Sequence, residues 1–236
     1  LDSFILYHQY NENSLLVTID VDTNVQEYRS YITRLINDQY RHRVVLNQGF
    51  NSVLILWREE SVTRTLIDEV KLLLKGITPS PVRVINKWKL PVYYDCLSAD
   101  IRAVSKYTDL KVDEIISLHQ QAVYTVSFMG GFLPGFPYLN GLPESLSIPR
   151  KVTPSLQVKT GSVAIAAGIC GIYPQSSPGG WYILGNCPVP LFNREREQAF
   201  LLSINDQVEF YEVDKLTFKD LKQNTSHLDI NQFKNG

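Results

Sequence analysis

Hydrophobic positions in the first third of the chain switch between two periods. Residues 4–7 and 15–19 read as short strands around the polar turn Asn11-Glu12-Asn13. Residues 24–37 then take the helical period, with Val25, Tyr28, Ile32, Leu35 and Ile36 on one face. RVVLN at 43–47 and SVLILW at 52–57 return to strand character, and Gln48, Gly49, Phe50 and Asn51 between them suit a hairpin turn. A second helix is predicted at 62–74, with Leu66, Ile67, Val70, Leu73 and Leu74 facing inward and Ser61 as its N-cap. Paired strands separated by helices predict a small α+β sandwich, two helices on an antiparallel sheet.

Gly76-Ile77-Thr78-Pro79-Ser80-Pro81 ends the second helix, because two prolines and a glycine suit a turn or linker. Strand-like VRVI (82–85) and KLPVYY (89–94) follow. A domain boundary is expected here, dividing the chain into residues 1–87 and 88–236. The second unit opens with helices at 99–107, capped by Ser98, and at 109–120, where Val112, Ile115, Ile116 and His119 recur at helical spacing. Beyond Tyr124 the short runs YTVSFMG, SVAIAA, GIY, WYILGN and QVEFYEV alternate with Gly and Pro, the pattern of a β-barrel or sandwich. The tail from Lys215 is polar and is expected to fray or form a short helix.

Composition narrows the function classes. At 236 residues, 44% of them hydrophobic and 20% charged, the chain can bury an ordinary globular core. A formal net charge of −1 lacks the basic excess of a nucleic-acid binder. Cys96, Cys170 and Cys187 have no CxxC spacing, and no HExxH pair occurs, so neither a disulfide framework nor a metal site is expected. No apolar run approaches the roughly 20 residues that cross a bilayer, and the first residues do not read as a signal peptide. A cytoplasmic protein, away from membranes, is expected.

Residues 130–191 hold the unusual chemistry. Pro and Gly are too dense there for regular secondary structure, so a long ordered loop is expected, one that either builds a site or closes the barrel ends. Phe132, Phe136, Tyr138, Tyr173 and Trp181 alternate with its glycines and suit either a ligand pocket or core packing. The backbone N–H groups of Gly179 and Gly180 would cradle an anion if they form a nest. His119 at a helix end is a general acid/base or a structural histidine. Arg150 is an anion clamp or a surface arginine. Ser162 lacks the GxSxG context of a nucleophile elbow, and Cys170 and Cys187 in apolar β-runs read as buried thiols.

GFLPGFPYLNGLP, IPR, GSVAIA, GIYP and SPGGWYILG occur in one order and spacing, with LLVTI, KLPVYYD and DEIISLHQQAVYTVSF upstream. In these motifs the chain resembles the B subunit family of bacterial 5-oxoprolinases, also called allophanate hydrolase subunit 1 or the Kip-type kinase inhibitor family, a carboxyltransferase subdomain C/D family. The likeness spans nearly the whole chain and is most specific from Tyr124 to Leu191. It implies an N-terminal ferredoxin-like α/β domain and a C-terminal cyclophilin-like β-barrel. It implies work with the A and C subunits of the same enzyme, the latter allophanate hydrolase subunit 2-like, opening 5-oxoproline to glutamate with ATP as co-substrate. One member inhibits a sensor histidine kinase, so a regulatory role and a scaffold role stand beside the enzymatic one. The resemblance makes His119 the acid/base and Arg150 an anion contact. Phe136, Tyr138, Ser162, Tyr173, Gly179, Gly180 and Trp181 then line the substrate site. The chain departs from the family where Ser155 and Asn186 replace arginines, Ile169 a glutamine and Cys170 a threonine. Neither Ser nor Asn reproduces the bidentate anion grip of arginine.

Overall fold

The computed structural model describes residues 4–21, 24–78, 86–225 and 229–235. The chain forms two compact units, Leu1–Arg83 and Val84–Gly236. Division at residue 87 would sever the second unit's first strand from its leading residue, since that strand starts at Lys87.

In the first unit β1 (Ile5–Asn11) and β2 (Ser14–Ile19) form a hairpin, followed by α1 (Val25–Tyr40). A second hairpin, β3 (Val44–Gln48) and β4 (Ser52–Trp57), precedes α2 (Arg64–Leu73). The antiparallel sheet runs β1-β2-β4-β3. Ile32 and Ile36 of α1 and Leu66 and Val70 of α2 pack on Leu15, Val17, Val53 and Ile55, which alternate along the central strands. Buried Arg29 stitches α1 to the second hairpin by donating to Gln48 Oε1 (3.1 Å) and to the carbonyls of Gly49 (3.0 Å) and Phe50 (2.9 Å). The cap of α2 is Thr63, whose hydroxyl accepts from Leu66 N–H, in place of the expected Ser61. The sandwich of two helices on one sheet is present, but the chain order is ββαββα. A ferredoxin-like unit runs βαββαβ, and the strand-like VRVI that follows α2 lies outside the described residues.

The second unit begins with β5 (Lys87–Tyr94), α3 (Ala99–Thr108) and α4 (Val112–Gln121). Then come β6 (Tyr124–Met129), β7 (Pro137–Asn140), β8 (Ser155–Val158), β9 (Ser162–Ala166), β10 (Ile169–Ile172), β11 (Ser177–Gly179), β12 (Tyr182–Asn186) and β13 (Gln207–Glu212). The chain finishes with α5 (Lys215–Gln223) and β14 (Lys234–Asn235). Strands pair in the order β12-β9-β10-β7-β6-β13-β5, and β12 also pairs with β5, so seven strands close a barrel. β14 adds to β5 beside the ring, and β8 with β11 forms a separate ribbon. Six of these strands, β7 to β12, lie within residues 130–191; β9, β10 and β12 fall on the runs SVAIAA, GIY and WYILGN, while β7, β8 and β11 lie where only loop was expected.

Leu90, Val126, Leu139, Val163, Ile165, Cys170, Leu184 and Val208, drawn from all seven ring strands, meet in one cluster. Only inward-pointing side chains of a closed sheet can do so. Ile101 and Val104 of α3 and Ile115 and Ile116 of α4 extend that core. Fully buried Asp206 fastens the seam where β5 and β13 start. Its carboxylate accepts from Asn86 N–H (3.0 Å), Trp88 Nε1–H (2.9 Å) and Ser203 N–H (2.9 Å).

Candidate functional site

The expected aromatics gather on the outer face of the barrel wall. Along β9, Val163 and Ile165 point into the barrel, so Ala164 and Ala166 point out. These small residues leave room for Phe136, Tyr173 and Trp181, which pack around them with Val158. Phe136 meets Tyr173 at 5.1 Å and 89°, and Trp181 at 5.4 Å and 85°, both edge-to-face. Two glycines permit the approach. A Cβ on Gly171 would lie 2.6 Å from the Phe136 ring, and one on Gly179 would lie 2.3 Å from Tyr173 Oη. Phe136, Tyr173 and Trp181 are all buried, so their rings occupy the space where a cleft was expected. The accessible rim is half-buried Tyr138 and Phe132, which is 49% exposed.

Arg150 is exposed and lies close enough to act on the two phenols. Burial pushes Tyr173 up to about 12 and raises Tyr138, while the Arg150 charge pulls both down. The loop that carries Arg150 is fastened through the next residue. Lys151 Nζ pairs with Asp100 at 2.6 Å and donates to Ser155 Oγ at 3.0 Å, and Lys151 N–H donates to the Gly180 carbonyl at 2.8 Å. The same Asp100 oxygen accepts from Ile183 N–H at 2.9 Å. One ion pair thus joins α3, the Arg150 loop, β8 and β12. Sequence reasoning missed both partners, which stand 51 residues apart with no local motif.

Three expected roles are changed by the geometry. Gly179 and Gly180 do not form a nest, because neither has the positive φ that a left-handed step requires. Gly179 is the last residue of β11, and its missing side chain makes room for Tyr173. His119 belongs to the barrel core. Its Nδ1 bonds Tyr94 Oη (2.8 Å), its Nε2 faces Cys170 Sγ (3.5 Å), and its ring stacks on Phe210 (4.8 Å, 21°). Cys170 points into the barrel and Gly171 lies against Phe136, so the sheet itself separates His119 from the aromatic cluster. Burial lowers the His119 pKa to about 3, and a fully buried neutral ring is no solvent-facing acid/base. Ser162 is 4% exposed and sits in the wall. Its carbonyl accepts from Tyr173 N–H (2.9 Å) and its N–H donates to the Lys159 carbonyl (3.1 Å).

Two openings lie elsewhere on this unit. One of about 440 Å³ is polar, lined by Cys96, Asp113, Ser117, Gln120 and Glu212. The other, of about 230 Å³, reaches Tyr173 from one end of the barrel and is lined also by Thr160, Pro188, Pro190, Lys222 and Thr225. Cys187 lines this second opening too, with burial pushing its thiol up to about 12. Among the described residues, no three His, Cys, Asp or Glu side chains gather as a metal ion would need, and no helix is long and apolar enough to cross a membrane.

Residues 5–202 match the family model of the carboxyltransferase domain, subdomain C and D. A Haemophilus influenzae protein named as the B subunit of 5-oxoprolinase is 43% identical over 204 residues, 85% of this chain and 94% of that protein. The chain belongs to this family. An Escherichia coli O157:H7 member of the same name is 39% identical over 52% of this chain and 56% of its own length. Among solved structures, TTHA0988 is 27% identical, with a TM-score of 0.68 over 89% of this chain. This chain spans only 40% of TTHA0988, so the family unit occurs there within a longer protein. The urea carboxylase of Kluyveromyces lactis shares the fold, with a TM-score of 0.73 at 18% identity over 94% of this chain and 23% of its own. Of the four positions expected to depart from the family motif, Cys170 faces the barrel core. Ser155 now accepts from Lys151, Ile169 packs at the edge of the aromatic cluster, and Asn186 Nδ2 donates to the Thr160 carbonyl (2.9 Å).

Proposed function

We propose that this chain is the B subunit of an ATP-dependent 5-oxoprolinase and acts in the cytoplasm with the A and C subunits to open 5-oxoproline to L-glutamate. The observation that carries the reading is the 43% identity to the Haemophilus influenzae B subunit across 94% of that protein's length. Its barrel is then the cyclophilin-like barrel of the family. Its first unit is the ferredoxin-like domain with the outer strand supplied from the front of the chain, because β1 stands next to β2 where a final strand would stand.

Ring opening adds water across the lactam amide. The water oxygen bonds to the carbonyl carbon, the C–N bond breaks and the nitrogen takes up a proton, while ATP hydrolysis to ADP and phosphate drives the step. Gly179 and Gly180 form no phosphate nest and so give a nucleotide no anchor there. We assign ATP, and the acid/base group that buried His119 does not supply, to the other two polypeptides. This chain contributes a stiff aromatic wall with Tyr138 and Arg150 at its open edge, where an anionic group meets a fixed cation.

The test is omission and replacement. The A and C subunits, mixed with ATP and 5-oxoproline, should release glutamate only when this chain is added, and Arg150→Ala should lower the rate at least tenfold. Equal glutamate release with and without the chain would end this reading.

A further inference from the structure

We infer that the smaller cavity, at the end of the barrel beside Tyr173, binds a small ring-shaped monocarboxylate. The choice of 5-oxoproline as that acid rests on the proposed function; the class of ligand follows from the cavity. At about 230 Å³ it is smaller than pockets for drug-sized molecules and has room for roughly seven waters of about 30 Å³ each, the scale of a compact ring acid. Pro188 and Pro190 stiffen its wall and bring no N–H groups, so much of the lining is apolar and rigid. Among the described residues one cation lines it, Lys222 of α5, whose ammonium lies 5.2 Å from the Phe218 ring. No carboxylate among the described residues forms an ion pair with Lys222. Among the described residues, no acidic side chain lines the cavity.

That arrangement selects. A ring acid can leave its single carboxylate at Lys222 and bury its ring against the prolines, with Thr160 and Thr225 also among the lining residues. Open-chain glutamate would have to bury an ammonium and a second carboxylate there, which is costly without partners. The site therefore favours the closed ring over the opened product. The larger opening is unsuited to the same ligand, because Asp113 and Glu212 line it and repel a carboxylate.

The experiment titrates the full chain with 5-oxoproline, pyrrolidinone (the same ring without the carboxylate) and L-glutamate, followed by ligand-detected NMR. We expect 5-oxoproline to bind at least fivefold more tightly than the other two. Lys222 is exposed, so Lys222→Gln should weaken 5-oxoproline about fivefold and leave pyrrolidinone unchanged. Thr225→Trp, at the rim, should abolish binding of both, and Lys219→Gln on the same helix should alter neither. No binding of 5-oxoproline at millimolar concentration, or equal binding by wild type, Lys222→Gln and Thr225→Trp, overturns the inference. Glutamate release by the three-component mixture separates the two readings. Turnover that needs this chain but keeps its KM in Lys222→Gln removes the site and leaves the function. Carboxylate binding through Lys222 without any need for the chain in turnover removes the function and leaves the site.

Discussion

Replacing Asp100 should damage this protein more than replacing the lysine it pairs with. The pair is mostly shielded, with side-chain exposures of 23% for Asp100 and 12% for Lys151. Breaking a fully buried pair from one side costs about 3–5 kcal/mol, and an exposed pair about 0–1 kcal/mol. Asp100→Ala strands the Lys151 ammonium with Ser155 Oγ alone and also leaves Ile183 N–H without its acceptor, which together should cost about 2–3 kcal/mol. Lys151→Met retains the apolar stem. It leaves Asp100 in the first turn of α3, where the helix dipole favours a negative charge and Ile183 N–H still donates, so its cost should be about 1 kcal/mol. In a chain of this size each kcal/mol moves Tm by roughly 2–4 °C. Thermal unfolding of the two single variants and the double variant, followed by tryptophan fluorescence, should give a coupling of about 1 kcal/mol. A Lys151→Met loss as large as that of Asp100→Ala, or no coupling between them, would refute this account of how the Arg150 loop is held.

Two further outcomes follow from the same wall. Gly179→Ala places a methyl 2.3 Å from Tyr173 Oη and 2.9 Å from its Cζ, so it should cost about 1–3 kcal/mol in urea unfolding, and adding Tyr173→Phe should recover part of the loss by removing the nearest atom; a neutral Gly179→Ala would show the phenol sits elsewhere. Stability should also fall with acid through His119, whose folded pKa is held near 3. Above pH 6.5 the ring is neutral in both states and the full stabilisation is present. Below that, the unfolded chain takes a proton that the folded chain refuses until about pH 3, a loss of roughly 2 kcal/mol by pH 5. Denaturant melts from pH 7 to 4 check this, and an equally steep decline in His119→Gln would assign the slope to another group.

Much of the architecture was legible because it rests on short-range pattern. SVLILW at 52–57 is β4 residue for residue, and Ser98 caps α3 as its spacing predicts. The β-rich character beyond Tyr124 announced a barrel or sandwich, and closure through β5 and β12 decided between them. The alternation in SVAIA was less informative, since all five residues of β9 are buried, one set by the barrel and the other by the aromatic cover. Pro and Gly density concealed β7, β8 and β11, because strands of three or four residues carry too little periodicity to show. The site was half visible. The aromatics announced themselves by composition, but only packing reveals that they fill their own cleft. His119 showed its helical face and not its burial, which depends on Tyr94, Cys170 and Phe210 arriving from three strands.

The neighbours of β5 bear on how the molecule is made. This strand leaves the ribosome first among those of the ring, yet it pairs with β12, β13 and β14, which are made much later, and its pairing with β13 is parallel. From Tyr94 to Glu212 the ribosome adds 118 residues, which at about 5–20 residues per second takes roughly 6–24 s. Until β12 is made at Asn186 the nascent strand has both edges bare, and its β13 edge stays bare until Glu212, whereas the four described strands of the first unit are complete by Trp57 and can assemble as soon as they clear the exit tunnel. A stalled or truncated message would thus yield a finished leading lobe trailing a sticky, unzipped ribbon, the kind of nascent chain that holdase chaperones retain.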